Sequence, residues 1–174
     1  MERIDQEADQ AFVQLMREHE RSVFALAYGK LRNVHDAEDV AQEVFVEAFR
    51  NSHKLKDPRK VSGWLFTATT YRCKDHFRKM SRRQRRECIY AGSANSSTPP
   101  MFARESDNGV LEAVSLLPQK YRVVVMLRHF AGLSYSEISK ATGLSMTTID
   151  SHLRTAKKKL RKMLSEDNEE GDRS

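Results

Sequence analysis

Apolar residues recur at helical spacing along most of this chain. Phe12, Leu15, Met16, Val23, Leu26, Ala27 and Leu31 stand at steps of three, four and seven, which predicts an amphipathic helix over 11–32. Ala37, Ala41, Val44, Phe45, Ala48 and Phe49 repeat the pattern over 35–50. Residues 51–63 carry Asp57-Pro58 and Gly63 and read as a loop. A third helix is expected from about 62 to 80, anchored by Trp64, Leu65, Ala68 and Phe77. The periodicity then fails. Residues 81–107 pass from RRQRRE into AGSANSSTPP, too polar to offset their ordering entropy by burial. They read as a linker, with a helical extension over the first few positions.

Order resumes near Gly109. Residues 110–117 predict a short helix ended by Pro118, and 119–130 a second one with Val123, Val124, Met126, Leu127 and Phe130 available to a core. Two more helices are expected over 134–142 and 145–164, and the acidic end, SEDNEEGDRS, is expected to fray. No run of alternating β-branched residues appears. The predicted fold is all-α, with two small helical domains joined by a flexible linker. Their limits are 8–80 for the first domain, 81–107 for the linker, 108–165 for the second domain and 166–174 for an acidic tail.

The sharpest local signal is LSYSEISKATGLSMTTIDSHL. Ser134 followed three residues later by Glu137 is a capping box, and Gly143 supplies a left-handed residue to end that helix. Ser145 then caps the next helix, so the turn is short enough to set the pair at a steep angle. Ile138, Ala141, Leu144, Ile149 and Leu153 fall where such a pair buries a shared core. By subtraction, Thr147, Asp150, Ser151, Arg154 and Lys158 face outward. Small polar groups followed by cations suit a recognition helix in a helix-turn-helix, the former reaching base edges and the latter phosphates. A solvated helical hairpin with an ordinary charged face is the plainer alternative.

Composition adds a partner. Lysine and arginine outnumber aspartate and glutamate by 30 to 24, a formal charge of +6, which favours a polyanion. The distribution is more telling. Asp36, Glu38, Asp39, Glu43 and Glu47 precede any compensating cation before Arg50. Residues 72–86 are dense in arginine and lysine, against Asp75 alone, and residues 154–162 contain no acid. One acidic and two basic surfaces imply two kinds of partner. Like charges at three- and four-residue steps repel, so the uninterleaved acids of 36–47 predict a face presented to a basic protein.

Those residues carry a resemblance. The run DAEDVAQEVF at 36–45, GWL at 63–65, Asp75 with Arg78, LPQKYR at 117–122, LSYSEI from Leu133 and TIDSHL from Thr148 resemble, in order and spacing, the extracytoplasmic-function (ECF) sigma factors of the sigma-70 family. The likeness spans about residues 8–165. It implies a sigma factor that binds core RNA polymerase and directs promoter-specific initiation. Asp36, Asp39, Gln42 and Glu43 would dock on the clamp helices of the β′ subunit. The loop after the second helix and the helix that follows would read the −10 element as it melts. Candidates there are Asn51, Lys54, Lys56, Arg59, Lys60, Tyr71, Arg72, Lys74, Arg78 and Lys79. Trp64 is a possible stacking residue, but its apolar neighbours favour a core role; Tyr71 is the better exposed aromatic. The helix-turn-helix would read the −35 element through Ser145, Thr147, Thr148, Asp150, Ser151, Arg154, Lys157 and Lys158, with its domain on the β-flap and the linker threading toward the RNA exit path. An anti-sigma factor is an expected partner. Three departures from the family pattern, at Tyr71, Asp150 and Thr155, lie on or beside DNA-facing surfaces and bear on promoter preference.

Other classes fit less well. A free-standing helix-turn-helix regulator leaves the acidic helix and first basic helix without a purpose. A structural adaptor that binds one protein through the acidic helix and another through the basic segments is a further alternative, which the salt dependence of promoter affinity separates. The six histidines make no HExxH or comparable spacing, Cys73 and Cys88 make no CxxC, and no Gly-rich phosphate loop occurs. No catalytic role, metal or cofactor is expected. The start, MERIDQEADQ, is charged and no apolar stretch approaches the ~20 residues of a membrane span, so a cytoplasmic protein with reduced thiols is expected.

Overall fold

The computed structural model describes residues 2–52, 57–87 and 108–171. Lys54, Lys56, Cys88 and the 88–107 part of the expected linker lie outside these described residues, as does the side chain of Arg59. Helix α1 spans Glu2–Leu31, α2 Val34–Arg50, α3 Pro58–Glu87, α4 Asn108–Leu116 and α5 Gln119–Val125. A π-helical turn, Met126–Phe130, continues α5, and α6 (Tyr135–Thr142) and α7 (Met146–Gly171) complete the chain. No strand occurs among the described residues.

Several boundaries differ from the sequence expectation. Helix α1 starts at Glu2 rather than near 11, because extending an existing helix through MERIDQEADQ needs no new nucleus and meets no glycine or proline. Helix α3 starts at Pro58, inside the expected loop; a proline is tolerated in a first turn, where its missing N–H has no partner to lose. Its continuation to Glu87 matches the helical extension expected over the first positions of the linker. Helix α7 continues to Gly171, through most of the segment expected to fray. Phe49 and Phe77, expected to be buried, are 54% and 42% exposed.

Helix α1 is the central strut. It packs on α2 and α3 along one side and on α5 and the π-helical turn along another. Val23, Leu26, Val44, Val61, Leu65, Val124, Leu127, Ile138 and Ile149 are almost fully buried in one connected core that runs through both helical halves. Each such side chain contributes about 2 kcal/mol of transfer free energy. The halves therefore share an interior as well as a connection.

Their contact is close and partly polar. A Cβ on Gly29 would lie 2.8 Å from the Val123 Cα, so α1 and α5 meet backbone to backbone there. Arg122, 6% exposed, donates from Nε to the Gly29 carbonyl at 3.0 Å and from Nη1 to the carbonyls of Leu117 at 2.7 Å and Ser115 at 3.0 Å. The Gln119 amide donates to the Lys30 carbonyl at 3.2 Å, and Phe24 meets Phe130 with ring centroids 5.6 Å apart.

Candidate functional site

The acidic helix is started by Asn33, whose side chain accepts from the Asp36 N–H at 3.1 Å. It ends at Asn51, whose amide donates to the Glu47 carbonyl at 2.8 Å, so this −10 candidate also caps α2. The acids are not left uncompensated, contrary to the reading from spacing alone. Arg72 of α3 reaches across to bond Glu47 through Nη2 at 2.6 Å and Nε at 3.1 Å, with Nη1 3.4 Å from Glu43. The hydrogen bond to Glu47 holds the guanidinium above its ordinary pKa. His76 Nε2 stands 3.2 Å from Asp36. Helical periodicity cannot reveal this pairing, since Arg72 and Glu47 are remote in sequence.

What remains outward on α2 is Asp39, Gln42 and Glu43, all exposed. Among the described residues Asp39 has no ion-pair partner. Beside them opens a groove of about 1050 Å³ between α1 and α2, walled by Val13, Met16, Gln42, Val46 and Phe49. Val13 and Val46 are about half exposed. This apolar strip next to an acidic rim went unrecognised in the sequence; the only signal was Val46 standing off the predicted core face.

On α3, Tyr71 is 63% exposed, and Lys74, Arg78 and Lys79 are also outward. Lys79 pairs with Asp75 at 3.1 Å and Lys60 with Asp57 at 3.7 Å. Trp64 packs against the core, which suits the structural role favoured for it. Cys73 is buried, and burial pushes its thiol up to about 11, so it stays neutral.

The helix-turn-helix has the geometry its spacing predicts. The Ser134 hydroxyl accepts from the Glu137 N–H while the Glu137 carboxylate accepts from the Ser134 N–H at 2.8 Å. The Ser134 hydroxyl also donates to the Glu137 carboxylate at 2.6 Å, and this bond first, with that from the Ser134 N–H, holds the carboxyl below its usual range. Gly143 has φ 74°, and Ser145 accepts from the Thr148 N–H at 3.2 Å to open α7. Thr147, Ser151, Arg154, Lys157 and Lys158 are exposed; Thr148 and Asp150 are half-buried. Asp150 bonds Arg154 Nε at 2.9 Å and accepts from the Tyr135 hydroxyl at 3.4 Å. Arg128, Arg154, Lys157 and Arg161 line one shallow hollow, so the π-helical turn adds a cation, Arg128, that the sequence reading did not include.

Among the described residues no group of three or more His, Cys, Asp or Glu is arranged to hold a metal, and no helix is long and apolar enough to cross a membrane.

Two family profiles match the chain in succession: Sigma-70 region 2 over residues 15–83 and Sigma-70 region 4 over 108–160. The chain is 29% identical to the ECF RNA polymerase sigma factor SigW of Bacillus subtilis, over 88% of this chain and 89% of that one. It is 32% identical to the ECF sigma factor SigE of Mycolicibacterium smegmatis, over 95% of this chain and 66% of that one. The chain belongs to the ECF sigma factors of the sigma-70 family. This sigma factor directs RNA polymerase to promoters. Its region 2 profile covers the acidic helix and most of α3, and its region 4 profile ends within α7, past the outward face of the helix-turn-helix. Two solved structures share its fold. One is the sigma factor RpoE from Bartonella quintana, in complex with the anti-sigma factor NepR, with a TM-score of 0.68 and 19% identity over 92% of this chain and 98% of that one. The other is CnrH, in complex with the cytosolic domain of CnrY, with a TM-score of 0.62 and 24% identity over 94% and 95%.

Proposed function

We propose that this sigma factor grips the β′ clamp helices of core polymerase through the outward edge of α2 and holds a promoter at two other places. The observation that carries this reading is a sorting of charge. Arg72 engages Glu47 and His76 engages Asp36 on the inner side of α2. Asp39, Gln42 and Glu43 (itself 3.4 Å from Arg72) stand exposed on an outer edge, where Gln42 lines an apolar groove. A basic partner with apolar anchors fits that combination, since apolar contact supplies affinity and the acids supply register and encounter rate. Asp36, half-buried against His76, would act through the helix start rather than by direct contact.

Promoter contacts fall to the remaining candidates. Tyr71, Lys74, Arg78 and Lys79 on α3, with Asn51, Lys60 and the candidates Lys54, Lys56 and Arg59, would hold the −10 strand by stacking and backbone charge. Arg72 is the exception in that set: it is occupied by Glu47 and serves the strand by fixing α3 against α2. Ser145, Thr147, Thr148, Ser151 and Arg154 would reach base edges of the −35 element, while Lys157 and Lys158 hold phosphate. Asp150 would orient Arg154 and Tyr135 rather than touch DNA. The functional limits remain 8–80, 81–107, 108–165 and 166–174, the second domain resting on the β-flap. The protein acts in the cytoplasm, catalyses nothing itself and needs no cofactor. An anti-sigma factor restrains it, as supported by the fold shared with two proteins solved with such partners or bound domains.

Charge reversal tests the docking face. Asp39→Lys with Glu43→Lys is expected to weaken core polymerase binding by about a hundred-fold in pull-down or surface-binding assays, with circular dichroism unchanged. Undiminished binding would remove α2 from the interface.

A further inference from the structure

Between the two halves lies a second cavity, of about 540 Å³, of whose lining only Tyr71 and Lys74 belong to the proposed promoter contacts. Lys30 of α1, Lys74 of α3, Lys120 of α5 and Lys140 of α6 line it together, and no acidic residue does. We propose that this cleft binds a nucleoside polyphosphate, its phosphates among the four lysines and its base against Tyr71 and the apolar floor.

The charge in the cleft is uncompensated. Some cations elsewhere find carboxylates, as in Lys60–Asp57, Lys79–Asp75 and Arg154–Asp150. Among the described residues none of the four cleft lysines has an ion pair. Lys120 settles for the face of Tyr121, 5.0 Å from the ring centroid. Lys30 is half-buried; burial lowers its pKa and the charge of Lys74 lowers it further. Lys74, Lys120 and Lys140 are exposed, so water screens part of their mutual repulsion, and an anion in the cleft relieves the rest.

The rest of the lining fits a nucleoside better than phosphate alone. Phe66, Val123 and Leu144 give an apolar floor, and Tyr71 offers an exposed ring. Base stacking on an aromatic ring tolerates any base and is worth about 1–3 kcal/mol. The volume lies within the roughly 300–1,000 Å³ usual for small-molecule sites. The chain's own acidic end does not fill it: on α7, Glu166 to Glu170 stand roughly 21–27 Å along the axis from His152, at 1.5 Å per residue. Duplex DNA has a separate cationic hollow around Arg154 and Lys157.

The lysines come from both halves, so the ligand binds the packed arrangement best and raises its stability. Lys74 and Tyr71 belong to the proposed −10 surface as well, so the nucleotide competes with the melted strand. Binding itself needs neither polymerase nor promoter, which keeps this test separate from that of the proposed promoter contacts.

Calorimetric titration of the full chain with ATP, GTP, tripolyphosphate and adenosine provides the test. One saturable nucleotide site per chain is expected, with melting temperature rising as nucleotide is added. Lys120→Gln with Lys140→Gln, both exposed positions, is expected to weaken it by about ten-fold or more with helicity retained. Lys159→Gln, on the outer face of α7, is expected to leave it unchanged. Tyr71→Ala should weaken ATP and GTP but spare tripolyphosphate. Absence of saturable binding, or equal loss in the α7 variant, overturns the site. Tripolyphosphate binding as tightly as ATP, or tighter displacement by an Asp/Glu-rich peptide, overturns the nucleoside as its ligand.

Discussion

Arg122 stands alone among apolar neighbours in YRVVVML, and its side chain donates to the carbonyls of Gly29, Ser115 and Leu117. A planar guanidinium with donors in fixed directions can serve three acceptors at once, which a lysine ammonium on a flexible stem does less well. Burial lowers its pKa, but it stays charged at any ordinary pH. Arg122→Met leaves those carbonyls without a donor and is expected to lower stability by about 3 kcal/mol in urea unfolding. A loss below a few tenths of a kcal/mol would mean that water replaces the side chain. Arg154 makes the opposite case, an exposed cation held by Asp150 at one helical turn's distance. Arg154→Ala is expected to cost about ten-fold in affinity for a promoter with its −35 element, and less on unrelated DNA, in a mobility-shift assay with core enzyme. Equal loss on every sequence would make it a phosphate contact only.

At the scale of elements, caps and neighbours share control. Helix α6 is started by a reciprocal capping box and stopped by Gly143 in the left-handed region. Ser134→Ala is expected to cost about 1 kcal/mol. It should also change the acid limb of stability. The hydrogen bonds from Ser134 hold the folded Glu137 pKa below its ordinary value of 4.5, so the unfolded chain takes up that proton first. The stabilisation is complete above that value and is lost as pH falls through the folded pKa. In Ser134→Ala the loss between pH 5 and 3 should be shallower, read from thermal melts across that range. Helix α1 stops differently. Arg32 takes φ 61° with no glycine to ease it, and its N–H bonds the Tyr28 carbonyl at 2.9 Å. That terminus carries no glycine signal in the sequence, although Asn33 immediately starts α2.

For the whole molecule the decisive contact is α1 on α5. Gly29 admits the Val123 backbone, and Arg122 ties the Gly29 carbonyl to α5 beside it. Gly29→Leu puts a side chain where no space exists and is expected to part the halves while each keeps its helices. Small-angle scattering should then show a larger radius of gyration, with the far-ultraviolet dichroism of the parent. An unchanged radius would mean that α1 shifts to admit the leucine.

Local chemistry was legible along the chain because it is encoded within a few residues. The periodicity of α2, the capping box of α6, the Gly143 turn and the outward face of α7 each depend on neighbours one to four positions away, and each can be read in order. The surfaces were less legible, because pairing across helices cannot be inferred from spacing. Arg72 had the composition of a DNA contact until α3 set it against Glu47, and the acids of α2 looked uniform until Arg72 and His76 divided them into an inner and an outer edge. The shared core, the role of Arg122 and the lysine-lined cleft were decided only in three dimensions. They join residues on either side of the segment at 88–107, and such distant pairings follow from how complete helices pack.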